Sequence, residues 1–196
     1  MYLDTTAGPP PYPARLEIDY PATLDRATTF FRLITAIPAL IVNSLVTSGL
    51  QSLAFGVALM LLFRRRYPKV WFEWLLYLQR YSARVGAYVL LLTDQYPSTT
   101  EEQAVRLELD EPDGRALNRF LPLVKWFLAI PHYIVLLFLG VALGIVTVLA
   151  WFLILVRGRY PRGLFDFAVG VNRWALRVIA YVLLLNTDRY PPFSLR

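Results

Sequence analysis

Gln79–Arg80–Tyr81–Ser82–Ala83–Arg84–Val85–Gly86–Ala87–Tyr88–Val89–Leu90–Leu91–Leu92 returns as Asn172–Arg173–Trp174–Ala175–Leu176–Arg177–Val178–Ile179–Ala180–Tyr181–Val182–Leu183–Leu184–Leu185, a shift of about 93 residues. An internal repeat constrains the architecture before any local reading is made. Outward from this stretch the same shift recurs. Arg66–Tyr67–Pro68–Lys69 matches Arg159–Tyr160–Pro161–Arg162, and Ala36–Ile37–Pro38 matches Ala129–Ile130–Pro131. Farther out, Arg15–Leu16–Glu17–Ile18–Asp19–Tyr20–Pro21 matches Arg106–Leu107–Glu108–Leu109–Asp110–Glu111–Pro112. The chain therefore divides into a Pro/Gly/Thr-rich tail (1–13) expected to be disordered, repeat one (14–97), a linker (98–103) and repeat two (104–196).

Composition points to lipid as the solvent. The 196 residues are 57% hydrophobic and 17% charged, with mean hydropathy +0.46, more apolar than an ordinary soluble domain. Residues 133–156 carry no charge, and at about 1.5 Å per residue such a run can cross a hydrocarbon core of about 30 Å. The absence of Cys excludes disulfides and thiolate chemistry. A single histidine, His132, excludes a histidine-rich metal site, and no cofactor motif is present. The net charge of +6 is carried almost wholly by Arg. Beside apolar spans it points to anionic lipid rather than nucleic acid. No cleavable signal peptide is expected at the start, which holds Asp4 and several prolines.

Each repeat has four parts. The first alternates apolar and charged residues over 14–20 and 104–110, the period of a half-buried strand. Two such edges in one chain invite pairing with each other. The second is an amphipathic helix over 24–37 and 117–130, suited to the headgroup region and expected to bend at Pro38 and Pro131. The third is an apolar span, 40–63 and 133–156. In repeat one it carries a polar face with Asn43, Thr47 and Gln51 at i, i+4, i+8, beside Ser44, Ser48 and Ser52. That pattern serves helix packing in lipid or lines a hydrophilic path. The fourth is a helix over 71–92 and 164–185, in which Glu73, Arg80 and Arg84, or Asp166, Arg173 and Arg177, share one face. An intramembrane Arg must snorkel, pair or line a wet cavity, so these six residues are candidate functional positions.

If this fourth helix spans, both hairpin tips lie on one side and the copies share one orientation, as in parallel-repeat transporters. The tips are basic: Arg64, Arg65, Arg66 and Lys69 in one, Arg157, Arg159 and Arg162 in the other. They are candidate contacts for anionic headgroups, and by the positive-inside rule they face the cytoplasm. His132 reads as an interfacial polar residue, and Thr93–Asp94 and Thr187–Asp188 as helix exits into turns.

Several short motifs recur in order: Arg15–Pro21, Phe30–Leu33, Ala129–His132, Arg157–Pro161 and Leu183–Phe193. Together they resemble the bacterial membrane-protein family of domain of unknown function 4389, in two tandem copies covering nearly the whole chain. The resemblance implies an integral membrane protein with no assigned activity and no catalytic residue to carry over. Repeat one departs from the pattern, with Ala39 where repeat two has His132 and Ser98 where it has Pro192.

The expectation is an all-α membrane protein of two tandem repeats, each with a short strand, an interfacial amphipathic helix and two transmembrane helices. It would sit, multi-pass, in a bacterial inner (cell) membrane and bind lipids, a membrane partner or a second copy without catalysing a reaction. The alternative is a small transporter or channel component with a polar path between the repeats.

Overall fold

The structure, a computed structural model, describes residues 11–196. Repeat one contributes β1 (Ala14–Ile18), α1 (Arg26–Phe30), α2 (Arg32–Thr47), α3 (Leu50–Arg64) and α4 (Lys69–Val89). Repeat two contributes β2 (Val105–Leu109), α5 (Pro122–Leu128), α6 (Ile130–Arg157) and α7 (Arg162–Ile179), which runs on into a π-helical turn, Ala180–Leu184. The expected tail, 1–13, lies mostly outside the described residues. Its last part is ordered: the Tyr12 hydroxyl donates to the Arg189 carbonyl at 3.0 Å, and the Pro13 carbonyl accepts from the Asp110 N–H at 3.0 Å.

The two strands do pair. They run antiparallel, with Leu16 opposite Leu107, Ala14 opposite Leu109 and Ile18 opposite Val105. Alternation sends Leu16, Val105, Leu107 and Leu109 inward. The other face carries Arg15, Glu17, Asp19, Arg106, Glu108 and Asp110. Arg15 pairs with Glu108 at 3.3 Å and Asp110 at 2.7 Å, and Arg106 with Asp19 at 2.6 Å.

Each strand rests on the other repeat's long amphipathic helix, β1 on α7 and β2 on α4. The Arg80 Nε–H donates to the Leu107 carbonyl at 3.0 Å, and the Arg173 Nε–H to the Leu16 carbonyl at 2.8 Å. Both arginines stand near the middle of their helices, so the sheet lies over the midpoints of α4 and α7.

The hairpin tips do not share one end of the molecule, contrary to the parallel arrangement expected. The tip of repeat one reaches the end of repeat two, where the Tyr67 hydroxyl donates to the Leu184 carbonyl at 2.6 Å. The tip of repeat two reaches the start of repeat one: the Leu24 N–H meets the Gly158 carbonyl at 3.0 Å, and Arg26 Nη2 meets the Val156 carbonyl at 3.1 Å. The halves therefore run past each other in opposite directions, which is what antiparallel pairing of two equivalent strands requires.

Prolines and turns shift the other boundaries. In repeat two the helix breaks at Ala129, and Pro131 sits in the first turn of α6, where its missing N–H leaves no hydrogen bond unmade. In repeat one the break falls earlier, at Phe31, and Pro38 lies inside α2. The first apolar segment is also interrupted, at Ser48–Gly49, between α2 and α3.

Among the described residues, three segments are long and apolar enough to cross a membrane: Arg32–Arg64, Ile130–Arg157 and Arg162–Leu184. The expectation of four spans fails at Lys69–Val89, whose Lys69, Glu73, Arg80 and Arg84 break its apolar run. Within Arg162–Leu184, 61% of the apolar window is already buried in protein, against 6% for Ile130–Arg157. The core joins Leu16, Leu107, Leu75, Leu92, Phe165 and Leu184 to Val57, Leu61, Ala150 and Ile154. The outward faces stay apolar: Leu45, Phe55 and Phe63 on α2 and α3, and Leu137, Phe138 and Val141 on α6.

Candidate functional site

The duplicated arginines of α4 and α7 define two equivalent grooves in different states. In repeat one, Arg84 Nη1 donates to the Ser98 carbonyl at 2.5 Å, while its Nε is buried without a hydrogen-bond partner among the described residues. Among the described residues no carboxylate forms an ion pair with Arg80 or Arg84. Beside them opens a cavity of about 310 Å³. Val42 and Val46 of α2, Tyr77, Leu78 and Tyr81 of α4, and the 99–102 segment wall it.

In repeat two the matching positions are Val135, Leu139, Gly170, Trp174, Arg173 and Arg177. There the groove is filled by the chain itself. Leu195 packs against the buried cluster of Ala129, Trp174 and Val178, as Val135 and Leu139 do. Arg177 donates to the Ser194 carbonyl at 3.1 Å and also to the Arg196 carbonyl. The fit depends on Gly170, because a Cβ there would lie 2.8 Å from the Leu195 carbonyl oxygen. Tyr77 occupies the corresponding place in repeat one.

A second duplicated feature ties helix start to helix exit. Arg32 is almost fully buried. It donates to the Thr93 carbonyl at 3.0 Å, pairs with Asp94 at 2.5 Å and lies 3.9 Å over the Tyr88 ring. Lys125, wholly buried, does the same: Thr187 carbonyl at 2.7 Å, Asp188 at 2.8 Å, Tyr181 ring at 5.0 Å. Burial pushes the Lys125 ammonium below its ordinary range, and the bond to Asp188 opposes this. Asp94 and Asp188 also accept the N–H of Asp25 and Asn118, at 2.7 and 2.6 Å. The sequence aligned Arg32 with Lys125 but gave no sign that Asp94 and Asp188 were their partners.

The helix exits differ by one residue. Leu91 and Leu185 both adopt positive φ, 62° and 56°, and the Leu92 N–H to Ala87 bond is matched by Asn186 to Ala180. The structural shift there is thus one residue larger than within the helices, and the π turn absorbs the extra residue. Its Leu184 carbonyl accepts from Tyr67. The equivalent Tyr160 hydroxyl is buried without a hydrogen-bond partner among the described residues, and burial pushes its pKa up to about 12.

Other sequence candidates are dispersed. Glu73 pairs with Lys69 at 3.9 Å and Asp166 with Arg162 at 3.2 Å, both in the exposed first turns, and neither acid forms an ion pair with Arg80, Arg84, Arg173 or Arg177. Asn43 turns toward α4 and accepts from the Ser82 hydroxyl at 2.8 Å, and Thr47 bonds to the Asn43 carbonyl. Ser44 and Ser48 bond to carbonyls of their own helix, and Gln51 is exposed. Arg64, Arg65, Arg66, Arg157 and Arg162 are exposed at the two tips, with Arg159 also on the surface. His132 is fully buried, not interfacial: its Nδ1 accepts the Trp174 indole N–H at 3.0 Å, and Phe193 stacks on it at 4.1 Å.

These features define a duplicated, strand-tied helical protein with broad apolar helix faces and one open, arginine-lined groove. The chain belongs to the family described as Domain of unknown function (DUF4389), whose sequence model matches residues 26–100 and 122–194, two tandem copies. No curated protein and no solved structure matches it.

Proposed function

We propose that this is a non-enzymatic protein of the bacterial cell membrane that lies along one side of the bilayer and binds phospholipid. The observation that carries the reading is the opposition of two surfaces. One is the sheet face with Arg15, Glu17, Asp19, Arg106, Glu108 and Asp110. The other is the apolar surface of α2, α3 and α6.

The position of the sheet supports this orientation. It lies over the midpoints of α4 and α7. Were those helices to cross the bilayer, six charged side chains would sit at its centre, each costing about 2.5–3.5 kcal/mol. Each strand also has a single partner, and open sheet edges facing lipid do not occur in hydrocarbon. Lying flat puts the sheet in water. α2 and α3 follow α4 along its length, from Thr35 against Tyr88 to Gly56 against Trp71, so they lie flat with it, in the acyl region. This departs from the multi-pass expectation while keeping the membrane. The basic tips then stand at opposite ends of one surface, where each cation near anionic lipid contributes about 1 kcal/mol.

His132 is held by Trp174 and Phe193 inside the protein, which supports a structural role over general-base chemistry. A polar path between repeats has less support, since Asn43 accepts from Ser82 and Thr47 bonds to the Asn43 carbonyl of its own helix.

Vesicle flotation of detergent-purified protein is the test. Flotation with vesicles of mixed phosphatidylethanolamine and phosphatidylglycerol, resistant to high salt, is expected. Recovery of the protein as a detergent-free monomer that stays in the dense fraction would contradict the reading.

A further inference from the structure

We propose that the open groove at Arg80 and Arg84 is a site for a single phospholipid whose headgroup carries both a phosphate and a primary ammonium, as in phosphatidylethanolamine. The inference rests on the membrane reading above and names the ligand class of one site within it.

Repeat two shows what this kind of groove accepts. Its occupant is the chain's own Leu195, an apolar side chain flanked by two carbonyl oxygens that receive Arg177. An apolar group next to oxygen acceptors is the pattern of an acyl chain beside ester and phosphate oxygens. In repeat one the same positions are Val42, Val46, Tyr81, Arg80 and Arg84, and no segment among the described residues fills the space between them. The cavity of about 310 Å³ suits part of a lipid, a headgroup with the first carbons of a chain, better than a bare anion, which would gain nothing from valine walls.

The charges at the rim select the headgroup. Arg80 and Arg84 bring two guanidinium groups without carboxylate partners among the described residues, and guanidinium is well matched to phosphate. Glu101 and Glu102 line the same cavity and are exposed, with no ion pair among the described residues. A purely anionic headgroup would meet both carboxylates. A headgroup with an ammonium a few bonds from its phosphate places each charge against its opposite. The groove also adjoins α2, whose outward face is apolar, so a chain leaving it continues along lipid-exposed surface.

Native mass spectrometry of the whole protein, delipidated in detergent, provides the test. Phosphatidylethanolamine, phosphatidylglycerol and phosphatidylcholine are added in turn, with glycerophosphoethanolamine as the chainless headgroup. One phosphatidylethanolamine per chain is expected to be retained, with the chainless headgroup lost. Val46→Trp, which fills the cavity and leaves both Arg80 and Arg84 in the sequence, should abolish retention. The double variant Glu101→Gln/Glu102→Gln should still bind lipid but lose roughly tenfold of its preference for phosphatidylethanolamine over phosphatidylglycerol, about the effect of one to two surface charge contacts. Retention unchanged in Val46→Trp, equal retention of all three lipids by the parent, or retention of the headgroup alone would overturn the site. Flotation of Val46→Trp with vesicles like the parent separates the two readings: lost retention with intact flotation supports the site, whereas failure of the parent to float removes the membrane reading itself.

Discussion

Repeat one and repeat two carry the same framework and finish it differently. Both bury a cation against the exit of their last helix, Arg32 on Asp94 and Lys125 on Asp188. Both lend an arginine to the other's strand. Repeat two then closes itself. Leu195 plugs its groove, Phe193 stacks on His132 with Trp174 edge-on to both, and a π turn accepts the tyrosine of the facing tip. Repeat one has Ala39 in place of His132 and Tyr77 in place of Gly170, and its groove stays open. Duplication supplied two copies of a support, and only one copy kept room for a guest.

The shared part should be the more sensitive to substitution. Lys125→Met and Arg32→Met each leave a carboxylate without its buried cation, and each should lower stability by about 3 kcal/mol, read as a shift of the denaturant midpoint in detergent. A loss in only one of the two would break the equivalence of the copies. His132→Ala gives repeat two the residue of repeat one. It strands the Trp174 indole N–H and removes a stacked ring, for an expected loss of about 2 kcal/mol. Leu195→Ala shortens the plug and should cost about 1 kcal/mol, since the side chain is half-buried. Its more telling consequence is stoichiometry: a second lipid retained per chain, where the parent holds one.

The smallest effect is a pH dependence confined to repeat two. Repeat two alone has a lysine, Lys125, at this buried position. Its folded-state pKa lies below the unfolded value of 10.5. Between the two the unfolded chain holds more protons, so stability rises with pH across that window, and the burial penalty is felt in full below it. Lys125→Arg should remove this alkaline rise while leaving neutral-pH stability nearly unchanged. An equal rise in the arginine variant would assign it elsewhere.

The sequence carried the framework well and the closure poorly. The shift of about 93 residues announced two copies, and the alternation at Arg15–Asp19 and Arg106–Asp110 was enough to pair the strands, because one face had to be buried. The arginines stood out because charge within an apolar helix needs a partner. Their partners could not be read, since backbone carbonyls have no sequence signature. The opposed course of the two halves was missed because it depends on strand direction, to which a period of two is blind. The extra residue at the exit of α7 was hidden by runs of leucine, which align equally well with or without it. Leu195 gave no signal at all: one apolar residue near a chain end reads as nothing until Gly170 is placed beneath it.

The central claim, a molecule lying flat with its sheet in water, is tested most directly by labelling. The chain has no cysteine, so single cysteines report cleanly. Arg65→Cys, Ser98→Cys, Glu108→Cys and Arg159→Cys should all react with a membrane-impermeant maleimide from the same side of sealed membranes, while Leu137→Cys on α6 stays protected. Labelling of Arg65→Cys and Arg159→Cys from opposite sides, or protection of Glu108→Cys, would show that the helices cross the bilayer and would contradict the account.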